Sequence, residues 1–289
     1  MNVSLGIFTY NEEKVIGRVV ESAINQKTNS IKINEIIVVS SACKDNTNNI
    51  IRELAKKDSR VKLIDQKERE GKASAINLFL KEAKGDVFIL QSGDVILEKD
   101  SIENLCTPFI EDKKLGFTAA NPIPKNDKNT FLGNHIHLHW FISNNLPRYG
   151  EVVAFRNFIK EIDPKTAVDE AYIEMVIKAK GYTMKHIPSA IVYNRGPDNF
   201  KDLMKQRRRI YVGHALLKKY DNYSVESFKA FKMIKLMAAY WLKEKSIKQL
   251  FWVIGSISLE MYGRLLGMYD LYIKKKNPYI WDIARSTKV

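Results

Sequence analysis

At 289 residues, with 45% hydrophobic and 28% charged side chains, the chain has a globular composition, which excludes a disordered or fibrous protein. A formal net charge of +14 calls for a polyanionic partner: nucleic acid, an anionic membrane surface or a phosphate-bearing substrate. Two cysteines, Cys43 and Cys106, are too few for a disulfide scaffold or a cysteine-based zinc site, so a reducing compartment is expected. The first residues read directly as a strand, so no signal peptide is expected, and no uninterrupted apolar run of about eighteen residues marks a membrane span.

Val3 to Phe8 reads as a buried strand that runs into Thr9-Tyr10-Asn11-Glu12-Glu13, with Asn11 placed to cap a helix carrying acids in its first turn. Val15, Ile16, Val19, Val20, Ala23 and Ile24 give that helix its apolar face. Ile36 to Val39 is the second strand, followed by the polar loop Ser40 to Thr47 and a helix to about Lys57. Val61 to Ile64 is the third, and a charged loop from Gln66 to Gly71 leads to a helix from Lys72. The fourth strand, Val87 to Leu90, ends in Gln91-Ser92-Gly93-Asp94. Strands alternating with helices predict an α/β fold with a doubly wound, mostly parallel sheet. Ligands of such sheets bind beyond the carboxyl ends of the strands, where Asp94 can hold a hard cation together with substrate phosphates. Taken alone, Asp94 reads more simply as a turn aspartate. The first loop has neither a dinucleotide-binding nor a P-loop glycine pattern.

Further along, Ser101 to Ile110 reads as helix, Gly116 to Ala120 as strand, and Asn121 to Asn129 as a turn-rich loop containing Pro122 and Pro124. His135, His137 and His139 would share one face of a strand and could ligate metal there, whereas a helix would splay them. Gly150 to Arg156 is a strand. Asp169-Glu170 opens a helix that ends near Gly181, a position acids favour on dipole grounds alone. A long helix from Asp198 carries Gln206-Arg207-Arg208-Arg209-Ile210. Beyond Ser224, Phe228, Phe231, Ile234, Met237 and Trp241 recur at helical spacing beside Lys229, Lys232 and Lys235. Leu250 to Leu259 is apolar almost all round, with Glu260 and Arg264 forming an i, i+4 pair and Asp270 breaking the pattern. Lys274-Lys275-Lys276, Pro278, Tyr279 and Trp281 follow. Aromatics with basic flanks predict helices lying in an anionic membrane interface, with packing on the domain and a true span as the alternatives.

The order F-T-Y-N-E-E, I-I-V-V-S-S-A-C-K-D-N-T, E-G-K-A-S-A-I-N, L-Q-S-G-D resembles the nucleotide-binding half of family 2 glycosyltransferases of the GT-A fold, and the likeness extends over roughly residues 1 to 215. It implies a catalytic domain over 1–222, divided into a nucleotide half (1–98) and an acceptor half (99–222), with a helical extension over 223–289. It implies donor contacts from Thr9, Tyr10, Glu12, Ser41, Lys72, Ser92, Gly93, Asp94, Gln206 and Arg209, and Mg²⁺ or Mn²⁺ on Asp94. Glu151 and Arg156, in G-E-V-V-A-F-R, would lie on the acceptor side. In A-V-D-E-A-Y the base that takes the acceptor proton during inverting transfer falls on Glu170, with Asp169 chemically able to serve. Arg209 would face the diphosphate, while Arg207 and Arg208 read as a solvated basic face.

Three departures stand out. Ser40-Ser41 replace an acidic pair, Ser92 replaces the first acid of the metal motif, and Ile210 replaces the tryptophan of Q-x-x-R-W. The expected partners are a nucleotide-diphosphate sugar, a glycan or lipid-linked acceptor, and an anionic membrane surface at the cytoplasmic face; nucleic acid is not expected. A non-catalytic relative that binds nucleotide sugar, a nucleotidyltransferase and a nucleic-acid-binding protein are the competing readings.

Overall fold

The computed structural model describes residues 1–146, 150–225, 230–282 and 285–287. In chain order the nucleotide half runs β1 (Asn2–Thr9), α1 (Ile16–Ile24), β2 (Lys32–Ser41), α2 (Thr47–Lys57), β3 (Val61–Gln66), α3 (Lys72–Glu82), β4 (Val87–Ser92) and the short β5 (Ile96–Leu97). The second half adds α4 (Ser101–Cys106), α5 (Pro108–Glu111), β6 (Leu115–Pro124), α6 (Phe131–Asn145), β7 (Val152–Arg156), α7 (Asp169–Ala179), β8 (Thr183–Asn194) and α8 (Phe200–Asp221). Two further helices, α9 (Ala230–Leu242) and α10 (Ile247–Met268), lead through a π-helical turn, Tyr269–Ile273, into the C-terminal segment.

All eight strands join one sheet in the order β3-β2-β1-β4-β7-β6-β8-β5. The first four in that row pair in parallel, as does β6 with β8, while β7 runs antiparallel to both its neighbours. The alternation of strand side chains builds a core on each face. On one side Val3, Leu5 and Ile7 of β1 pack with Ile16 and Val19 of α1 and Ile51 of α2. On the other, Phe8, Phe79, Phe88 and Phe155 interlock edge to face, with ring centroids 5.9, 5.5 and 6.0 Å apart. This phenylalanine row fastens α3 to the sheet and so places Lys72, its first residue.

Several expectations change. Asn11 caps no helix: its φ is +53°, α1 begins at Ile16, and the Asn11 side chain instead accepts from the Lys44 backbone. Asn121 to Pro124 are strand, not loop. Both prolines are tolerated because β6 contacts β7 only as far as Ala119, so beyond it one edge of β6 needs no donors. In α9, Met237 and Trp241 pack with Tyr240 against Leu138 and Ile142 of α6, leaving Ile234 exposed. Phe228 and Lys229 lie outside the described residues. Arg207 and Arg208 are not a solvated face: Arg207 is buried and lies 3.3 Å from Glu260, and Arg208 makes a two-pronged pair with Asp270 at 2.6 Å for each prong. These pairs fasten α10 and its continuation to α8.

At Gly93 the ends of β1 and β4 come together. Its N–H donates to the Phe8 carbonyl at 2.8 Å, and a Cβ there would lie 2.7 Å from that oxygen and 2.9 Å from Thr9 Cβ. Gly93→Ala is therefore expected to lower stability by about 1–3 kcal/mol through forced backbone movement, read as a reduced urea midpoint with an unchanged slope.

Candidate active site

The carboxyl ends of β1, β2 and β4 open onto a cavity of about 1010 Å³. Thr9, Tyr10 and Glu12 after β1, Ser41 at the end of β2, and Ser92, Gly93 and Asp94 after β4 form one side of it. Glu151, Glu170, Gln206 and Arg209 face them from the second half, with Lys72 between. The first two loops owe their shape to each other. The Glu12 N–H donates to Thr47 Oγ1 (2.8 Å), the Glu13 N–H to Asp45 Oδ2 (3.1 Å), and the Asn46 N–H to Glu13 Oε2 (2.9 Å). Much of the polar sequence after β1 and β2 thus ties loop to loop. The Ser41 hydroxyl donates to Gln66 Oε1 at 3.0 Å, which leaves its oxygen lone pairs for a ligand.

At the centre stands an ion triad. Lys72 Nζ lies 2.7 Å from Asp169 Oδ2 and 2.8 Å from Glu170 Oε1. The two acids differ in access. The Asp169 side chain is 1% exposed and does not reach the cavity wall, whereas that of Glu170 is 19% exposed and lines it. Burial and the neighbouring Glu170 charge raise the Asp169 carboxyl above its ordinary range. Burial also works against the Glu170 charge, but the Lys72 charge and hydrogen bond, with Arg209 behind them, hold that carboxyl below its ordinary range. Lys72 is itself held protonated, since the two carboxylates outweigh its burial. Burial pushes the Arg209 guanidinium down to about 10, so it stays charged at neutral pH.

A second acidic pair faces the first. Glu151 has φ +66°, a left-handed backbone that costs a side-chain-bearing residue about 1–2 kcal/mol, and its Oε1 accepts from Asn194 Nδ2 at 3.0 Å. Burial, then the Asp94 charge, pushes its carboxyl up to about 7. A buried carboxyl raised beside a second acid in this way fits a divalent cation shared with substrate phosphates, which needs few protein ligands. No group of three or more His, Cys, Asp or Glu side chains able to hold a metal by itself occurs among the described residues. The histidines at 135, 137 and 139 lie on α6 and splay apart: His135 is buried, His137 Nε2 meets the Asn126 carbonyl at 3.0 Å, and His139 packs on Trp140.

Arg156 is not brought to the site. It pairs with Val87 at the opposite end of β4, where its guanidinium donates to the carbonyls of Leu115, Phe109 and Asp112 at 2.8–2.9 Å. The antiparallel course of β7 puts Glu151, just before it, by the carboxyl end of β4 and Arg156 by the amino end, so the acceptor-side reading of Arg156 is corrected. Three groups at the site were missed. Arg69 lies over the Tyr10 ring at 4.1 Å, Asn194 holds Glu151, and Trp281, expected at a membrane interface, lies in the cavity with its ring centroid 3.3 Å from the Arg209 guanidinium carbon.

Comparisons with known proteins bear on the family and the fold. A family model described as glycosyl transferase family 2 matches residues 4–164. A probable glycosyltransferase YdaM from Bacillus subtilis is 26% identical over 227 residues, covering 72% of this chain and 54% of that protein. A poly-beta-1,6-N-acetyl-D-glucosamine synthase of Staphylococcus aureus strain COL is 26% identical over 245 residues, 79% of this chain and 58% of that one. The chain therefore spans a little over half the length of these curated relatives. In structure, the mannosyltransferase PcManGT from Pyrobaculum calidifontis, solved with GDP-Man and Mn²⁺, superposes with a TM-score of 0.60 at 18% identity, over 96% of this chain and 81% of that one. The shared fold is GT-A, an α/β architecture with a mixed, mostly parallel sheet and C-terminal helices.

Lys72→Met would leave two adjacent acids buried without their cation, at a cost of about 3–5 kcal/mol. One of them then keeps a proton in the folded state that the unfolded chain releases, so stability falls as pH rises. Urea unfolding between pH 5 and 8 should show the variant losing stability across that window more steeply than the parent.

Proposed function

The chain belongs to glycosyl transferase family 2, and on that premise we propose that it moves a sugar from a nucleotide-diphosphate sugar to a glycan or lipid-linked acceptor with inversion at the anomeric carbon. The observation that carries this reading is the placing of Glu170: ionised, held by Lys72, and on the wall of a cavity whose opposite side is formed by the loops after β1, β2 and β4. Glu170 takes the proton from the acceptor hydroxyl as it attacks, a role worth about 10²–10⁴-fold in rate. Asp169, shut off from the cavity, fixes Lys72 instead. Thr9, Tyr10, Glu12 and Ser41 receive the nucleoside. Arg209, with Gln206 one turn earlier on α8, faces the diphosphate. Asp94, with Glu151 beside it, would hold Mg²⁺ or Mn²⁺, whose chemistry there is to neutralise charge on the leaving diphosphate.

Attachment to an anionic membrane surface is part of the same proposal. No helix among the described residues is long and apolar enough to cross a membrane. Phe251, Ile254, Met261 and Leu265 of α10 nevertheless face outward at 52–68% exposure. Lys243, Lys245 and Lys248 lie at one end of this face and Lys274 to Lys276 at the other, where each contributes about 1 kcal/mol near an anionic leaflet. The apolar face meets the cavity at the stacked, half-exposed pair Phe200 and Tyr262, which suits an acceptor with a lipid portion.

Three measurements test the proposal: melting with nucleotide, sugar transfer and sedimentation with vesicles. UDP or GDP should raise the melting temperature only with Mn²⁺ or Mg²⁺ present. Asp94→Ala should abolish the metal dependence, while Glu170→Gln keeps binding and loses transfer by about 10²–10⁴-fold. Stabilisation by DNA or RNA in preference to nucleotides would sink the reading. Phe251→Ser combined with Leu265→Ser should reduce sedimentation with vesicles of anionic lipid while leaving nucleotide binding unchanged; undiminished sedimentation would remove the membrane from the proposal.

A further inference from the structure

Beyond the donor loops the cavity continues along a wall built by three helices. His139 and Trp140 of α6, Arg207 of α8 and Glu260 of α10 line it. Gly263 lets the wall close: a Cβ there would lie 2.8 Å from Arg207 Cβ, so α10 lies hard against α8 and sets Glu260, one turn earlier, on the guanidinium. Arg207 Nη1 lies 3.3 Å from Glu260 Oε1 and 3.4 Å from His139 Nδ1, while Nη2 donates to Gln206 Oε1 at 3.2 Å. Behind them His135 Nε2 stands 3.6 Å from the same Glu260 oxygen. Trp140 packs beside His139, with ring centroids 5.4 Å apart, and the tip of its indole would be 3.9 Å from a Cβ on Gly150, the residue before Glu151. The wall thus runs from the acids of the transfer site to a carboxylate on α10.

This cluster carries no net charge. Burial and the Arg207 charge push His135 down to about 4, so its ring is neutral at neutral pH, and the guanidinium and carboxylate cancel. Glu260 Oε1 is enclosed, yet the side chain as a whole is 26% exposed, so its remainder faces the cavity. Neighbouring cations do not make this an anion site. Arg195, Lys205 and Arg208 are matched by Asp198, Asp202 and Asp270 at 3.1, 2.9 and 2.6 Å, and Lys201 is exposed at the rim. A phosphate entering here would meet Glu260 as a like charge, an unfavourable contact. Hydroxyl groups suit the wall better: a carboxylate accepts from them, an imidazole can donate or accept, and an aromatic ring covers the C–H face of a sugar.

We propose that this wall binds a neutral sugar residue of the acceptor, the Glu260 carboxylate accepting from its hydroxyls and Trp140 covering its ring, so that the acceptor is a lipid-linked saccharide and not a bare lipid phosphate. The inference rests on the reading of the cavity as a nucleotide-sugar site and names the acceptor that this reading leaves open. The helix itself supplies the argument for the lipid portion. Ile257 and Met261, on either side of Glu260 in α10, are 37% and 61% exposed. One helix therefore presents a carboxylate to the cavity and an apolar face to its outside, the two chemistries of a sugar head and a hydrocarbon tail.

The test titrates the full chain, by calorimetry, with octyl glycosides of glucose, galactose, mannose and N-acetylglucosamine below their micelle concentrations, with the corresponding methyl glycosides, and with octyl phosphate. At least one octyl glycoside is expected to bind more tightly than both its methyl counterpart and octyl phosphate. Glu260→Gln keeps the shape of the side chain and removes its charge, and should weaken that glycoside by about 3- to 10-fold; Trp140→Leu should weaken it by about 10-fold. Melting temperatures within a degree or two of the parent exclude a folding defect; were one variant unstable, the other decides, and the ranking of ligands on the parent stands without either. Octyl phosphate binding more tightly than every glycoside, no glycoside binding at all, or parental affinity in both variants would overturn the inference. Binding of UDP or GDP with Mn²⁺ to the parent is read separately: its presence leaves the glycosyltransferase reading standing when the sugar site fails, and its absence removes that reading itself.

Discussion

Lys72 enters the site as the first residue of α3, from the nucleotide half, and its ammonium meets Asp169 and Glu170 at the first turn of α7, from the other half. Taking three charged groups out of water costs several kcal/mol per ion, and the triad persists because each carboxylate has the same cation within 3 Å. Its geometry sets the rest of the site. The α3 helix is pinned by Phe79 in the phenylalanine row, so Nζ has little freedom to follow a moving partner. The α7 helix is positioned in turn by what Lys72 requires. Both halves of the sheet are thereby fastened across the cavity by a side-chain contact in addition to the strand pairing of β4 with β7. With one acid buried behind the lysine and the other in front of it, two adjacent carboxylates are given unlike environments, and only the one in front can meet a substrate.

The basic excess of the chain finds a similar division. Arg207 and Arg208 are spent on Glu260 and Asp270, fixing the helix that carries the exposed apolar face. Arg209, the next residue, lies in the cavity against the Trp281 ring. Three consecutive arginines on a helix are about 100° apart, so a single run can serve packing on one side and ligand on the other. The same spacing puts Gln206 one turn before Arg209.

What was legible in the sequence follows from which signals are local. The first four strands and three helices could be read because each carries its own apolar period, and the site residues at the ends of β1, β2 and β4 followed from the general position of ligands in such sheets. Long-range geometry was not legible. Nothing within G-E-V-V-A-F-R reveals that its strand runs antiparallel to its neighbours, and that direction alone decides that Glu151 meets Asp94 while Arg156 is taken up by carbonyls at the far edge. Asn11 has the chemistry of a helix cap, but here that chemistry joins two loops, because the partner that claims it, Lys44, is more than thirty residues away. Pro122 and Pro124 mark turns in most sequences; in this one an edge left open by a short neighbour absorbs them.

Trp281 shows the limit most plainly. A tryptophan among lysines near the end of a chain has the composition of a membrane-interface anchor, and the same composition describes an indole stacked on an arginine inside a site. Both environments offer a cation to the ring face and a polar surrounding to the N–H. Only the path of the backbone separates them, and that path is set by Asn277, Tyr279 and Ser286, residues with no pattern of their own. Trp281 stands eleven positions after Asp270, a length that reaches at most about 40 Å when extended. The Arg208–Asp270 pair therefore fixes the point on α8 from which the segment starts across the cavity. An arginine that the sequence places on a solvated face thus anchors the segment carrying a tryptophan that the sequence places at a lipid surface.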